Sequence, residues 1–152
     1  MLAQIQDFLA QPRIAVAGVS HRPNDFSRTL FREFRNRGYD MVAVNPGAAE
    51  IDGAPCYPRI QDVRPGVENV VVMTSAAAAG AVVRDCAAAG VKRVWLYRAG
   101  GAGAVSEEAV ALCREQGIAV IRGECPLMFL RNTGGIHRFH GWLRKIFGKY
   151  PQ

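Results

Sequence analysis

At 152 residues the chain has the size of one ordinary domain, long enough to bury a real core. Its 49% hydrophobic and 21% charged residues are well mixed, and no apolar run is long enough to span a bilayer. The net charge of +6 is concentrated at one end: residues 127–152 hold Arg131, Arg138, Arg144, Lys145 and Lys149 and no acid, which leaves 14 basic and 13 acidic residues in the body, so bulk charge is poor support for a nucleic-acid protein.

The first ten residues carry Asp7 and no basic residue, unlike a secretory leader. Cys56, Cys86, Cys113 and Cys125 are widely spaced, with no Cys-x-x-Cys, and read as reduced thiols of a cytoplasmic protein. Leu2, Ile5, Phe8 and Leu9 recur at helical spacing and predict a short helix over 2–10, stopped by Pro12. Residues 13–18 predict the first strand: Ile14 to Ala17 form a continuous apolar run, the pattern of a buried parallel strand, and it stops at Gly18. A helix is expected over 26–37, with Leu30, Phe31 and Phe34 on one face and Gly38 as its stop.

Residues 41–44 predict the second strand, ending at Asn45-Pro46-Gly47. The stretch with Gly53, Pro55 and Pro58 reads as a loop, with Tyr57-Pro58-Arg59-Ile60 beginning a short helical turn. Residues 70–73 predict the third strand, ending at Thr74-Ser75, and alanine-rich 76–89 predicts a helix closed by Gly90. The fourth strand is expected over 91–97, followed by the glycine-rich loop 98–103. A helix begins at Ser106 with Glu107 and Glu108, and the fifth strand lies at 118–121. Strands alternating with helices predict an α/β domain: a Rossmann-like open parallel five-stranded sheet, order 3-2-1-4-5, with helices on both faces.

In such sheets ligands lie beyond the carboxyl ends of the strands. The residues placed there are Gly18, Val19 and Ser20, then Asn45 and Pro46, then Thr74 and Ser75, then Tyr97 and Arg98, with Cys125 after the last strand. His21, Arg22 and Arg28 lie in or just past the first loop. The rim is polar and cation-capable, suited to a phosphorylated ligand, and offers no Asp or Glu pair for acid/base work. Ser20 reads either as a phosphate contact or as a helix-capping residue. Arg22 and Arg28 read as phosphate partners or solvated helix charges. Nicotinamide dinucleotide sites usually place an acid after the second strand; Asn45-Pro46 stands here instead and disfavours NAD(P).

Gly18-Val19-Ser20, Val44-Asn45-Pro46-Gly47, Val94-Trp95-Leu96 and Cys125-Pro126, in that order, resemble the motifs of CoA-binding domain proteins. These are small proteins similar to the CoA-binding domain of the succinyl-CoA synthetase alpha subunit. The resemblance spans about residues 8–128. It implies a protein that binds coenzyme A or an acyl-CoA in the first-loop crevice. By position, Gly18, Val19, Ser20 and His21 would line the diphosphate and Asn45 and Pro46 the adenine-nucleotide half. Thr74, Ser75, Tyr97 and Arg98 would border the pantetheine path. Two positions depart from the pattern: Ala48 replaces a second-loop lysine of the synthetase, and Tyr97 replaces a glutamine of many small relatives. No catalytic residue is carried over.

The expected division is a CoA-binding domain over 1–128 and a basic amphipathic helix over 129–152. Ile136, Phe139, Leu143, Ile146 and Phe147 recur at helical spacing there, suiting docking on the domain, a homodimer or a protein partner. His137 and His140 are three apart but lack further ligands at metal-site spacing, so no metal is expected. Two other functions fit parts of the chain: an NAD(P)-dependent enzyme or redox sensor on the same fold, and a scaffold or nucleic-acid protein acting through the tail.

Overall fold

A computed structural model describes residues 1–98 and 103–130. The elements run α1 (Leu2–Leu9), β1 (Arg13–Ala17), α2 (Phe26–Asn36), β2 (Asp40–Val44), β3 (Glu50–Ile51) and β4 (Ala54–Tyr57). They continue with β5 (Asn69–Val72), α3 (Ala76–Ala88), β6 (Arg93–Leu96), α4 (Glu107–Glu115) and β7 (Ala119–Arg122). Short 3-10 turns cover Ile60–Asp62 and Pro126–Met128.

The sheet has seven strands in the order β3-β4-β2-β1-β5-β6-β7. All neighbours pair in parallel except β3 with β4. The expected five strands are present, but the expected order needs correction. Asn69–Val72 pairs with β1 and not with β2, and β4 takes the place beyond β2. Counting parallel strands alone, the order is 3-2-1-4-5-6, the doubly wound arrangement that reverses direction beside β1.

The missed strand has a local cause. Gly53, Pro55 and Pro58 punctuate 53–58 as a loop would, yet proline is tolerated at a sheet margin. Pro55 pairs only with the two-residue β3 at the outer edge. Asp52 and Gly53, at φ 48° and 78°, form the two-residue reversal between β3 and β4. Asp-Gly is a strong hairpin signal for that geometry.

Alternation along each strand divides the core into two layers. Ala15, Ala17, Val42, Val44, Val70, Val72, Val94 and Leu96 face α3 and α4, meeting Ala79, Val83, Cys86, Ala109, Val110 and Cys113. Ile14, Val16, Met41, Ala43, Val71, Trp95 and Ile121 face α1 and α2, meeting Ile5, Phe8, Leu30, Phe31 and Phe34. Helices therefore cover both faces, as expected. Trp95 anchors the second layer: fully buried, edge-on to Phe8 at 5.3 Å, its Nε1–H donating to the Glu124 carbonyl at 2.8 Å. That bond satisfies an indole donor that burial would otherwise strand.

No helix among the described residues is long and apolar enough to cross a membrane. Leu130 is buried in the α1–α2 layer, so the core runs past residue 128. The tail helix expected beyond it, with His137 and His140, lies outside the described residues. The same holds for 99–102 of the glycine-rich loop.

Candidate functional site

The carboxyl ends of β1, β2, β5, β6 and β7 form one continuous rim. Gly18 closes β1 at φ 89°. A Cβ there would lie 2.9 Å from Thr74 Cγ2 and 3.0 Å from the Thr74 backbone nitrogen. The loops after β1 and β5 thus touch through a glycine, at the point where strand direction reverses. Asn45 joins the second loop to the first: its Nδ2 donates to the Val19 carbonyl at 2.7 Å. Its Oδ1 accepts from the Gly47 N–H, also at 2.7 Å, turning the chain after Pro46. Asn45 therefore fastens two loops together, while Pro46 presents an exposed ring beside them.

The first loop is pinned from inside. The Ser20 N–H donates to Ser27 Oγ at 2.8 Å, and Ser27 Oγ donates to Asp25 Oδ1 at 2.5 Å. Asp25 caps α2 by accepting from the Ser27 N–H at 2.9 Å. Those two Ser27 hydrogen bonds hold the Asp25 carboxyl below its ordinary range. Ser20 is therefore not the helix cap; its Oγ accepts from the Arg22 N–H at 3.1 Å. Val19 is fully buried, backbone included. His21 and Arg22 are exposed.

Arg28 has a different task from the one expected. It is buried, and its guanidinium grips Asp52 through Nη2 at 2.5 Å and Nε at 3.3 Å. Its Nη1 donates to the carbonyls of Ser20 and His21 at 3.3 and 3.2 Å. Through these bonds it ties the first loop to the β3–β4 turn. A peptide unit points its C=O and N–H in opposite directions. With the Val19, Ser20 and His21 carbonyls drawn inward, the next amides turn outward unless another partner takes them. Ser27 takes the Ser20 amide and Ser20 Oγ takes that of Arg22. The His21 N–H, like the Val19 N–H, has no hydrogen-bond partner among the described residues.

The far side of the rim is aromatic. Tyr97 stacks on Phe26, the first residue of α2, with ring centroids 5.6 Å apart and planes 21° apart. Burial, reinforced by nearby Cys125, pushes the Tyr97 hydroxyl up to about 12. Burial likewise raises the Cys125 thiol, keeping it in the neutral form. Ser75 caps α3, accepting from the Ala78 N–H at 3.3 Å. Arg98 is exposed, and its guanidinium lies beside the turn at Gly123. Among the described residues no three His, Cys, Asp or Glu side chains gather as a metal ion needs.

The structure thus joins Gly18 to Thr74 and Val19 to Asn45 by direct contact, with Ser20, His21, Pro46 and Ser75 next to them in the chain. Tyr97 joins them through Phe26. Sequence reading missed Asp25, Phe26, Ser27 and Asp52. The Asp25-x-Ser27 pattern before an apolar helix face was a usable cap signal. Nothing in local spacing ties residue 28 to residue 52.

The doubly wound sheet carries a glycine turn at the point where strand direction reverses, the place where ligands of such sheets lie. The chain belongs to the CoA binding domain family, which it matches over residues 12–131. YneT of Bacillus subtilis (strain 168) is 27% identical over 124 residues, covering 81% of this chain and 89% of that protein. The ADP-forming acetate–CoA ligase I of Archaeoglobus fulgidus is 25% identical over 118 residues, 74% of this chain but 17% of the ligase. Among solved structures, a protein of Pyrococcus horikoshii OT3 shares the fold, with a TM-score of 0.77 and 24% identity over 83% of this chain and 87% of that one. The dinucleotide-forming acetyl-coenzyme A synthetase 1 of Ca. Korarchaeum cryptofilum, in complex with phosphate and ADP, gives a TM-score of 0.65 at 29% identity. That match covers 74% of this chain and 25% of the synthetase.

Proposed function

We propose that this protein binds coenzyme A or an acyl-CoA at the strand-end rim and performs no covalent chemistry of its own there. Family membership supports the ligand class, and one structural observation carries the placement: the inward pinning of the first loop. It leaves the His21 amide and the exposed loop side chains for an anion, at a turn where Gly18 permits close approach. The CoA diphosphate would sit there, with Ser20 Oγ beside it. Pro46 would meet the adenosine half. Thr74, Ser75, Tyr97 and Arg98 would flank the pantetheine arm. The second loop carries no cation between Asn45 and Ala49, so the ribose phosphate would be held more weakly than the diphosphate. A cytoplasmic location, and a 129–152 segment that docks on the domain or meets a second copy or a protein partner, belong to the same reading.

Calorimetry with CoA, acetyl-CoA, dephospho-CoA, NAD(H) and NADP(H) tests the assignment. Binding of CoA and dephospho-CoA with no response to the dinucleotides is expected. A dinucleotide that binds where CoA does not at millimolar concentration would overturn it in favour of a nicotinamide protein.

A further inference from the structure

We propose that Asp52, on the β3–β4 turn, is a positioning residue for the first loop: through Arg28 it fixes the Ser20 and His21 carbonyls inward and so aims the His21 amide at a bound diphosphate. The inference rests on the CoA reading above and adds to it a residue 34 positions along the chain from Gly18.

Asp52 is the hub of an arginine cluster. Arg28 and Arg32, one turn apart on α2, both fork onto its carboxylate; Arg32 contributes Nε at 2.9 Å and Nη2 at 3.0 Å. Arg35, a further turn along, donates to the Asp52 carbonyl at 3.0 Å. The carboxylate is mostly shielded, with 15% of its side-chain surface exposed, and the Arg28 side chain is at 9%. The Arg28 bonds first, then those of Arg32, hold the Asp52 carboxyl well below the usual carboxylate range.

Stability alone needs only the hairpin tied to the helix, and Arg32 and Arg35 achieve that. Arg28 does something further. Four of its hydrogen bonds divide between Asp52 on one side and two successive loop carbonyls on the other. A guanidinium is planar and rigid, so fixing one edge on a carboxylate fixes where its remaining N–H groups point. With Asp52 neutralised, the fork loses its anchor. The Ser20–His21 carbonyls then become free to rotate, and the intervening amide with them. A ligand that needs that amide outward must then select one conformer from several, which lowers its apparent affinity.

The test compares wild type with Asp52→Asn, Arg28→Lys and Arg35→Met. Asparagine suits the positive φ of residue 52 and is close in shape, but presents a donor where Arg28 needs an acceptor. Lysine keeps the charge of residue 28 and cannot fork. Arg35→Met loosens the hairpin without touching the loop. CoA affinity is measured by calorimetry, on each protein that folds, far below its melting temperature. Backbone amide resonances of residues 19–22 are followed by NMR.

Asp52→Asn and Arg28→Lys are expected to weaken CoA by about tenfold or more, the lower end of what outer partners contribute at metal sites, and to shift the His21 amide. Arg35→Met should lower the melting temperature and leave CoA affinity within twofold. Should Asp52→Asn fail to fold, Arg28→Lys alone decides. Either variant binding CoA like wild type, with the His21 amide unmoved, overturns the positioning role and leaves the CoA reading intact. Wild type that does not bind CoA overturns both.

Discussion

Replacing Gly18 by alanine tests the closest approach in the site, and Gly38→Ala calibrates it. The two glycines share nearly the same φ, 89° and 90°. A side chain in that region costs about 1–2 kcal/mol at either position. They differ in surroundings. The Gly38 Cβ would meet nothing within 4 Å, whereas that of Gly18 would press on Thr74 Cγ2 at 2.9 Å, the Thr74 nitrogen at 3.0 Å and the Met73 carbonyl carbon at 3.1 Å. Two of those three atoms are backbone at the end of β5 and cannot swing aside. Overpacking of this kind adds about 1–3 kcal/mol. Gly18→Ala should therefore lose about 2–5 kcal/mol and Gly38→Ala about 1–2 kcal/mol, read from urea unfolding with m unchanged. At a temperature where both variants are folded, CoA binding should be lost in the first and kept in the second. Equal destabilisation of the two would show that the β1 and β5 loops do not meet as described, and the diphosphate placement would go with them.

Ser20→Ala removes one hydroxyl and leaves the loop amides in place. It should weaken CoA by about 1–2 kcal/mol in calorimetry and barely move the unliganded melting temperature, because Asp25 and not Ser20 caps α2; a large fall in stability with unchanged affinity would contradict this. Because the folded Asp52 carboxyl titrates below its unfolded value, its contribution is fully present above about pH 4 and fades as pH falls toward the folded value. The stability gap between wild type and Asp52→Asn, followed by thermal melts from pH 7 to pH 2.5, should therefore narrow on acidification; a constant gap would mean the carboxylate carries no net stabilisation. Burial pushes the Cys86 and Cys113 thiols up to about 12 and about 11, so at pH 8 a soluble thiol reagent should label neither until urea unfolds the chain, as peptide mapping by mass spectrometry would show.

The strands that build the rim were legible because each central one is buried on both faces and reads as an unbroken apolar run. Gly18 was legible for a related reason: its task is set by its own backbone, and an abrupt stop to an apolar strand announces it. β4 hid behind Pro55 because a strand that pairs only briefly at a margin tolerates residues a central strand rejects. Taking 53–58 for a loop then displaced the following strand in the expected order. Arg28 shows the other limit. A cation one turn into the helix after a glycine loop has the sequence signature of a phosphate ligand, and nothing within ten residues distinguishes that role from another. The distinction is made by Asp52, brought opposite it only when the β3–β4 hairpin folds back onto α2. The resulting site separates two duties that the sequence presents together. In the proposed reading, backbone and hydroxyl groups of the first loop meet the anion, while the charge of Arg28 is consumed internally in holding them still. A site of this design gains affinity from preorganised dipoles more than from net charge. Its ligand binding should accordingly depend less on salt than an arginine-lined pocket would.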